Sequence, residues 1–160
     1  MLKKTDNILL IFILFFILAS LITVFIIEYV LGHQACQLCI YERIPYILSI
    51  FLILEIMFFK RNIKITLLLL SLTFFFSAIL AFYHFGIEQG FFVESTVCKS
   101  KNFSETLSKE MLLEQLKQNN VSCKDVSFKF LGFSLASINI IFSLVLGVIF
   151  MKLYKDYEKN

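Results

Sequence analysis

The sequence predicts an all-α integral membrane protein: a four-transmembrane-helix bundle with two outer loops, the second containing a short amphipathic helix. Three observations lead there. The 160 residues are 59% hydrophobic and only 17% charged, against roughly 45–50% and about 25% in soluble domains. A soluble fold of this size cannot bury that much apolar surface. The apolar residues fall in long uncharged runs, and the Lys and Arg residues cluster between them. Disorder is excluded by the same composition. The net charge of +3 carries no argument for nucleic acid, so the partner implied by composition is the lipid bilayer.

A helix crosses about 30 Å of hydrocarbon with roughly 20 apolar residues, because lipid offers no partner to backbone amides and carbonyls. The first span is read at 8–27, an uncharged run. It exceeds the roughly 7–15 apolar residues of a signal peptide, and a retained helix is expected. The second covers 40–59. Its apolar core, Ile44–Phe59, is short and contains Glu55, and Pro45 sits near its start, where a missing amide costs least. The third covers 65–82 and the fourth 131–151, both uncharged. Positive charge orients them. Lys3 and Lys4, then Lys60, Arg61 and Lys64, then Lys152, Lys155 and Lys159 share one side, expected to be cytoplasmic with both termini. The loops at about 28–39 and 83–130 then face outward. The first has no Lys or Arg, and the second balances six Lys against six acids. Within it, Ser104–Asn119 reads as an amphipathic helix with Leu107, Met111, Leu112 and Leu116 on one face. It either packs on the loop or lies on the membrane surface.

All four cysteines, Cys36, Cys39, Cys98 and Cys123, fall in the outer loops. An extracytoplasmic compartment permits disulfides there. Cys36-Gln37-Leu38-Cys39 is a C-x-x-C, a spacing that supports a redox-active disulfide whose first thiol is commonly acidified. If helix persists, Cys36, Cys39 and Arg43 share a face at i, i+3 and i+7. A guanidinium there can stabilise a thiolate or hydrogen-bond a polar, lipid-soluble ligand; alternatively Arg43 snorkels to the headgroups. Glu42 either pairs with Arg43 or faces water. His84, at the outer end of span three, is a site candidate by its depth; the plainer reading is an interfacial histidine bonded to a carbonyl. His33 is expected to be solvated. One C-x-x-C does not make a zinc site, and haem attachment needs a His where Ile40 stands. No metal is expected. Two inert structural disulfides stay open, and four cysteines allow three connectivities.

Cys36-Gln37-Leu38-Cys39-Ile40-Tyr41-Glu42-Arg43, followed by Pro45-Tyr46, resembles the C-x-L-C-x-x-x-R signature of the DsbB family of membrane thiol oxidases. Tyr83-His84-Phe85-Gly86-Ile87-Glu88 and Phe130-Leu131-Gly132-Phe133-Ser134-Leu135 add weaker matches. The resemblance covers nearly the whole chain. It implies an enzyme of the bacterial inner membrane, with its cysteine loops in the periplasm. Such an enzyme reoxidises a soluble DsbA-like periplasmic thiol oxidase and passes the electrons to the membrane quinone pool, ubiquinone or menaquinone. By the same resemblance, Cys98 and Cys123 form the outer disulfide, attacked by the partner at Cys98. Cys123 then hands electrons to the Cys36–Cys39 pair at Cys36. Cys39 becomes the thiolate facing the quinone, Arg43 holds the quinone, and His84 lies near it. A vitamin K epoxide reductase-like quinone oxidoreductase and a four-span scaffold with two structural disulfides are the alternatives.

Overall fold

A computed structural model describes residues 4–59, 62–93, 122–124, 129–130 and 132–159. Among the described residues, five helices run in chain order: α1 Lys4–Tyr29, α2 Gln37–Tyr41, α3 Arg43–Phe58, α4 Ile63–Glu88 and α5 Leu135–Lys159. A two-residue hairpin, β1 Lys129–Phe130 with β2 Phe133–Ser134, precedes α5. Three helical stretches are long and apolar enough to cross a membrane: Asp6–Tyr29, Ile63–Glu88 and Leu135–Lys159. At 16 residues, α3 rises only about 24 Å at 1.5 Å per residue, short of the hydrocarbon thickness. The second predicted span is therefore divided, with α2 and α3 meeting at Glu42 (φ −64°, ψ −18°). The predicted amphipathic helix at 104–119 lies outside the described residues.

Two helix ends differ from the expected bounds for local reasons. The third span continues to Glu88, past Phe82. It stops where Gly90, at φ +79°, supports a Schellman closure with Gly90 N–H to Ile87 C=O (3.0 Å) and Phe91 N–H to Gly86 C=O (2.8 Å). The last helix starts at Leu135 rather than 131. Gly132 at φ +86° turns the hairpin, and Ser134 caps the helix through the Ser137 N–H (3.2 Å).

The core follows helical periodicity. Leu10, Ile13 and Ile17 of α1, Tyr46, Ile53 and Ile56 of α3, Ile63, Leu67, Leu70 and Phe74 of α4, and Leu146, Phe150 and Leu153 of α5 form one buried cluster. Small residues let α4 and α5 approach closely. Ser71 Oγ donates to Gly147 C=O at 3.0 Å, and Ser143 Oγ donates to Ser77 Oγ at 3.1 Å. Phe74 stacks on Phe150 (5.6 Å, 9°) and meets Tyr46 edge-on (5.7 Å, 88°). Phe12, Phe15, Phe51, Phe76 and Phe82 point outward, as lipid-facing residues do. Glu55, the acid inside the second apolar run, accepts from Thr66 Oγ1 at 3.3 Å.

These contacts set a stability prediction. Phe74→Ala should destabilise the bundle by about 3 kcal/mol, the low end for a buried Phe, because lipid tails solvate the exposed side chain nearly as well as the core does. Phe76→Ala, on the outward face, should cost almost nothing. Unfolding of both variants in mixed micelles against an increasing SDS fraction measures the difference.

Candidate functional site

The C-terminal ends of α1 and α4, the N-terminal end of α5 and the α2–α3 junction line a cavity of about 420 Å³. Its lining combines apolar Phe16, Val24, Ile27 and Phe142 with Cys36, Cys39, Glu42, Arg43, His84 and Glu88. Cys36, Cys39 and Arg43 all line this cavity, although no single helix carries them. The short helix α2 organises the thiols. Cys36 stands just before it, in extended geometry, and its Sγ accepts from the Cys39 N–H at 3.2 Å. The two Sγ atoms lie 2.7 Å apart and both cysteines are free. A disulfide bond is about 2.05 Å long, so a small side-chain rotation closes the pair.

The reduced pair shares its charge unequally. The hydrogen bond from Cys39 lowers the Cys36 thiol from 9.0 to about 5; burial opposes this, and the hydrogen bond and charge of His84 add to it. The same hydrogen bond, together with burial and the adjacent Cys36 charge, pushes the Cys39 thiol up. A pair this close titrates in two steps, with Cys36 losing the first proton and Cys39 retaining the second. While both thiols are free, the negative charge sits on Cys36 rather than on Cys39.

His84 is 3% exposed and bonds to side chains, not to a carbonyl. Its Nε2 faces Cys36 Sγ at 3.5 Å and Glu88 Oε1 at 3.7 Å. Its Nδ1 meets Glu42 Oε1 at 2.7 Å. Glu42 is itself buried, at 8% exposure, so it neither faces water nor pairs with Arg43. Its second oxygen accepts from Asn139 Nδ2 at 2.7 Å. Asn139 Oδ1 in turn accepts from Tyr46 Oη and from Ser143 Oγ at 3.1 Å. A continuous polar chain thus runs from Cys36 through His84, Glu42 and Asn139 into the bundle. Such networks hold their members in one arrangement when every group is satisfied.

Arg43 does not snorkel. Its side chain is 12% exposed and pairs with Glu28 at the end of α1, with the guanidinium 5.2 Å from the Phe25 ring centroid. Its Nε is buried and has no acceptor among the described residues. His33, half-buried, also lines the cavity. Cys123 is disulfide-bonded, 2% exposed, and packed in one buried cluster with Cys36, Leu38 and Ile87. Cys98 lies outside the described residues. The sequence reading missed Glu28, Glu42 and Asn139 as site residues. Asn139 carried a usable signal, since a polar side chain inside an apolar span calls for a partner.

Cys36, Cys39 and His84 bring three ligand atoms within 4.8 Å of one another. Two thiolates on tetrahedral zinc, at about 2.3 Å each, would stand roughly 3.8 Å apart. The observed 2.7 Å suits sulfur–sulfur chemistry better.

Comparison with known proteins agrees with this chemistry. Residues 6–153 match the family model of disulfide bond formation protein DsbB. The chain is also 32% identical over 143 residues to the uncharacterized protein RP370 of Rickettsia prowazekii (strain Madrid E), covering 88% of this chain and 83% of that protein. No solved structure matches. With a family match spanning both thiol segments and all three long apolar helices, the chain belongs to the DsbB family of disulfide-forming membrane oxidoreductases.

Proposed function

We propose that the protein reoxidises a soluble DsbA-like periplasmic dithiol oxidase and delivers the electrons to membrane quinone. The observation that carries this is the Cys36–Cys39 pair, poised for closure at 2.7 Å, lining a cavity whose other residues combine apolar side chains with the ion-paired Arg43, His84 and their carboxylates. The residues fit a quinone headgroup. Phe16 and Phe142 line the cavity, and the buried Arg43 Nε is a donor with no acceptor among the described residues. Arg43 and His84 would hold the headgroup; when bound, quinone accepts two electrons and two protons.

The chain's own residues perform the remaining steps. The reduced partner opens the Cys98–Cys123 disulfide at Cys98, and a second partner thiol resolves the adduct, leaving both loop cysteines reduced. Cys123 attacks the Cys36–Cys39 disulfide at Cys36, which releases Cys39 as the leaving thiolate. At that moment Cys36 no longer carries charge, and the principal influence holding the Cys39 proton is gone. Cys98 then displaces Cys36 from Cys123, restoring the outer disulfide. Oxidation of the Cys36–Cys39 dithiol releases two protons and two electrons. His84, between Cys36 and Glu42, holds the proton that Cys36 gives up, and Glu42 keeps the ring aimed at the Cys36 sulfur. In this reading α2 and α3 together make the fourth crossing of the inner membrane, with the termini cytoplasmic.

Purified protein should oxidise a reduced DsbA-like partner only when quinone is present; turnover without quinone would overturn the reading. Arg43→Ala should raise the quinone KM at least about tenfold, the loss of one charge-assisted hydrogen bond, while leaving the partner's KM nearly unchanged. Steady-state kinetics with each substrate varied in turn separates the two effects.

A further inference from the structure

Arg43 is not an unopposed cation. Its Nη1 lies 2.5 Å from Glu28 Oε2, and both side chains are largely shielded from water, at 12% and 20% exposure. Both line the cavity that holds the thiol pair. Glu28 belongs to α1, whereas Arg43 opens α3, so the ion pair ties two helices across the mouth of one site. In so dry a place a carboxylate beside a guanidinium cancels most of its field. The contact is one of charge: Glu28 Oε2 makes no hydrogen bond among the described residues, yet it sits against the guanidinium where a carbonyl oxygen would otherwise approach.

We infer that Glu28 sets the affinity for quinone by opposing Arg43: its carboxylate competes with the acceptor's carbonyl oxygen for the guanidinium and weakens the hold on it. The inference rests on the quinone reading above and assigns a specificity-determining role to a residue of α1. Arg43 keeps its buried Nε free of any described acceptor, so a headgroup can engage before the Glu28 contact yields. Full engagement of the guanidinium then requires Glu28 to give up its place.

Removing the charge while keeping the shape tests this. Decylubiquinone is titrated into the reduced-partner-free protein in detergent micelles, and its dissociation constant is read from the side-chain ¹⁵N signals of Arg43. Glu28→Gln should bind roughly tenfold more tightly than wild type, with the quinone KM falling in parallel. Glu28→Asp, which keeps the charge, should stay within about threefold of wild type. In the wild type, saturation should also shift the Glu28 carboxylate ¹³C resonance, an arm that decides the matter even if the glutamine variant misfolds. Unchanged or weaker binding by Glu28→Gln, or an unmoved Glu28 resonance at saturation, overturns the competition. Wild type that binds no quinone overturns the quinone reading, and the competition falls with it.

Discussion

Cys36→Ser and Cys39→Ser should each reduce quinone-dependent oxidation of the partner to background. The expected effect is total because the step is indivisible. Two electrons leave the pair only as one sulfur–sulfur bond forms between atoms now 2.7 Å apart, and a serine oxygen cannot form it. The losses should be non-additive, since residues acting as one unit fail together. Stopped-flow oxidation of a reduced DsbA-like protein, with quinone absorbance as the second signal, measures this. Full turnover in either variant would end the relay. The outer pair should behave differently. Cys123→Ala leaves Cys98 as a free thiol; with the oxidised partner, whose disulfide that thiol opens, it should accumulate a covalent adduct at Cys98 visible on non-reducing gels, whereas a structural scaffold would give none.

His84→Ala should slow reduction of quinone by roughly 10²–10³-fold, within the usual contribution of a positioned general base. The pH dependence gives the sharper test. Reduced Cys36 is lowered to about 5, first by the Cys39 hydrogen bond and then by His84. A thiol with a depressed pKa is the reactive thiolate above that value and loses reactivity as pH falls through it. Alkylation of wild-type Cys36 by iodoacetamide should therefore be flat from pH 8 to about 6 and fall near 5. In His84→Ala the inflection should move upward toward the ordinary thiol range. Glu42→Gln should shift it in the same direction by less, because the ring stays but loses the carboxylate that orients it at 2.7 Å. An inflection unmoved in both variants would leave His84 with no part in activating the sulfur.

The comparison of these residues shows where local pattern stops. The i, i+3, i+7 spacing of Cys36, Cys39 and Arg43 assumed one unbroken helix; the three do line one cavity, but with Cys36 ahead of α2 in extended geometry and a break at Glu42. Glu42 defeated the same logic. Its neighbour in sequence is Arg43, and pairing looked natural, yet adjacent positions on a helix point about 100° apart. Glu42 turns instead to His84, 42 residues away, and to Asn139, 97 residues away. Glu28 read as part of a polar loop. It ends α1 instead and faces Arg43 across the cavity.

Span three and span four were legible as runs, but their ends moved to Glu88 and Leu135. Gly90 and Gly132 adopt positive φ there, and a Gly alone does not announce whether it will. The short α3 was partly visible in the sequence, as a run that reached spanning length only by borrowing residues back to Ile40.

What the sequence determined by itself is the solvent and the chemistry. Apolar runs must meet lipid, and the C-x-x-C spacing keeps two sulfurs within reach of each other. Only the tertiary structure decided which charges the sulfurs and Arg43 feel. A carboxylate matters to a thiol through distance and burial, and three helices had to pack before Glu42, His84 and Glu28 came within a few ångströms of the site.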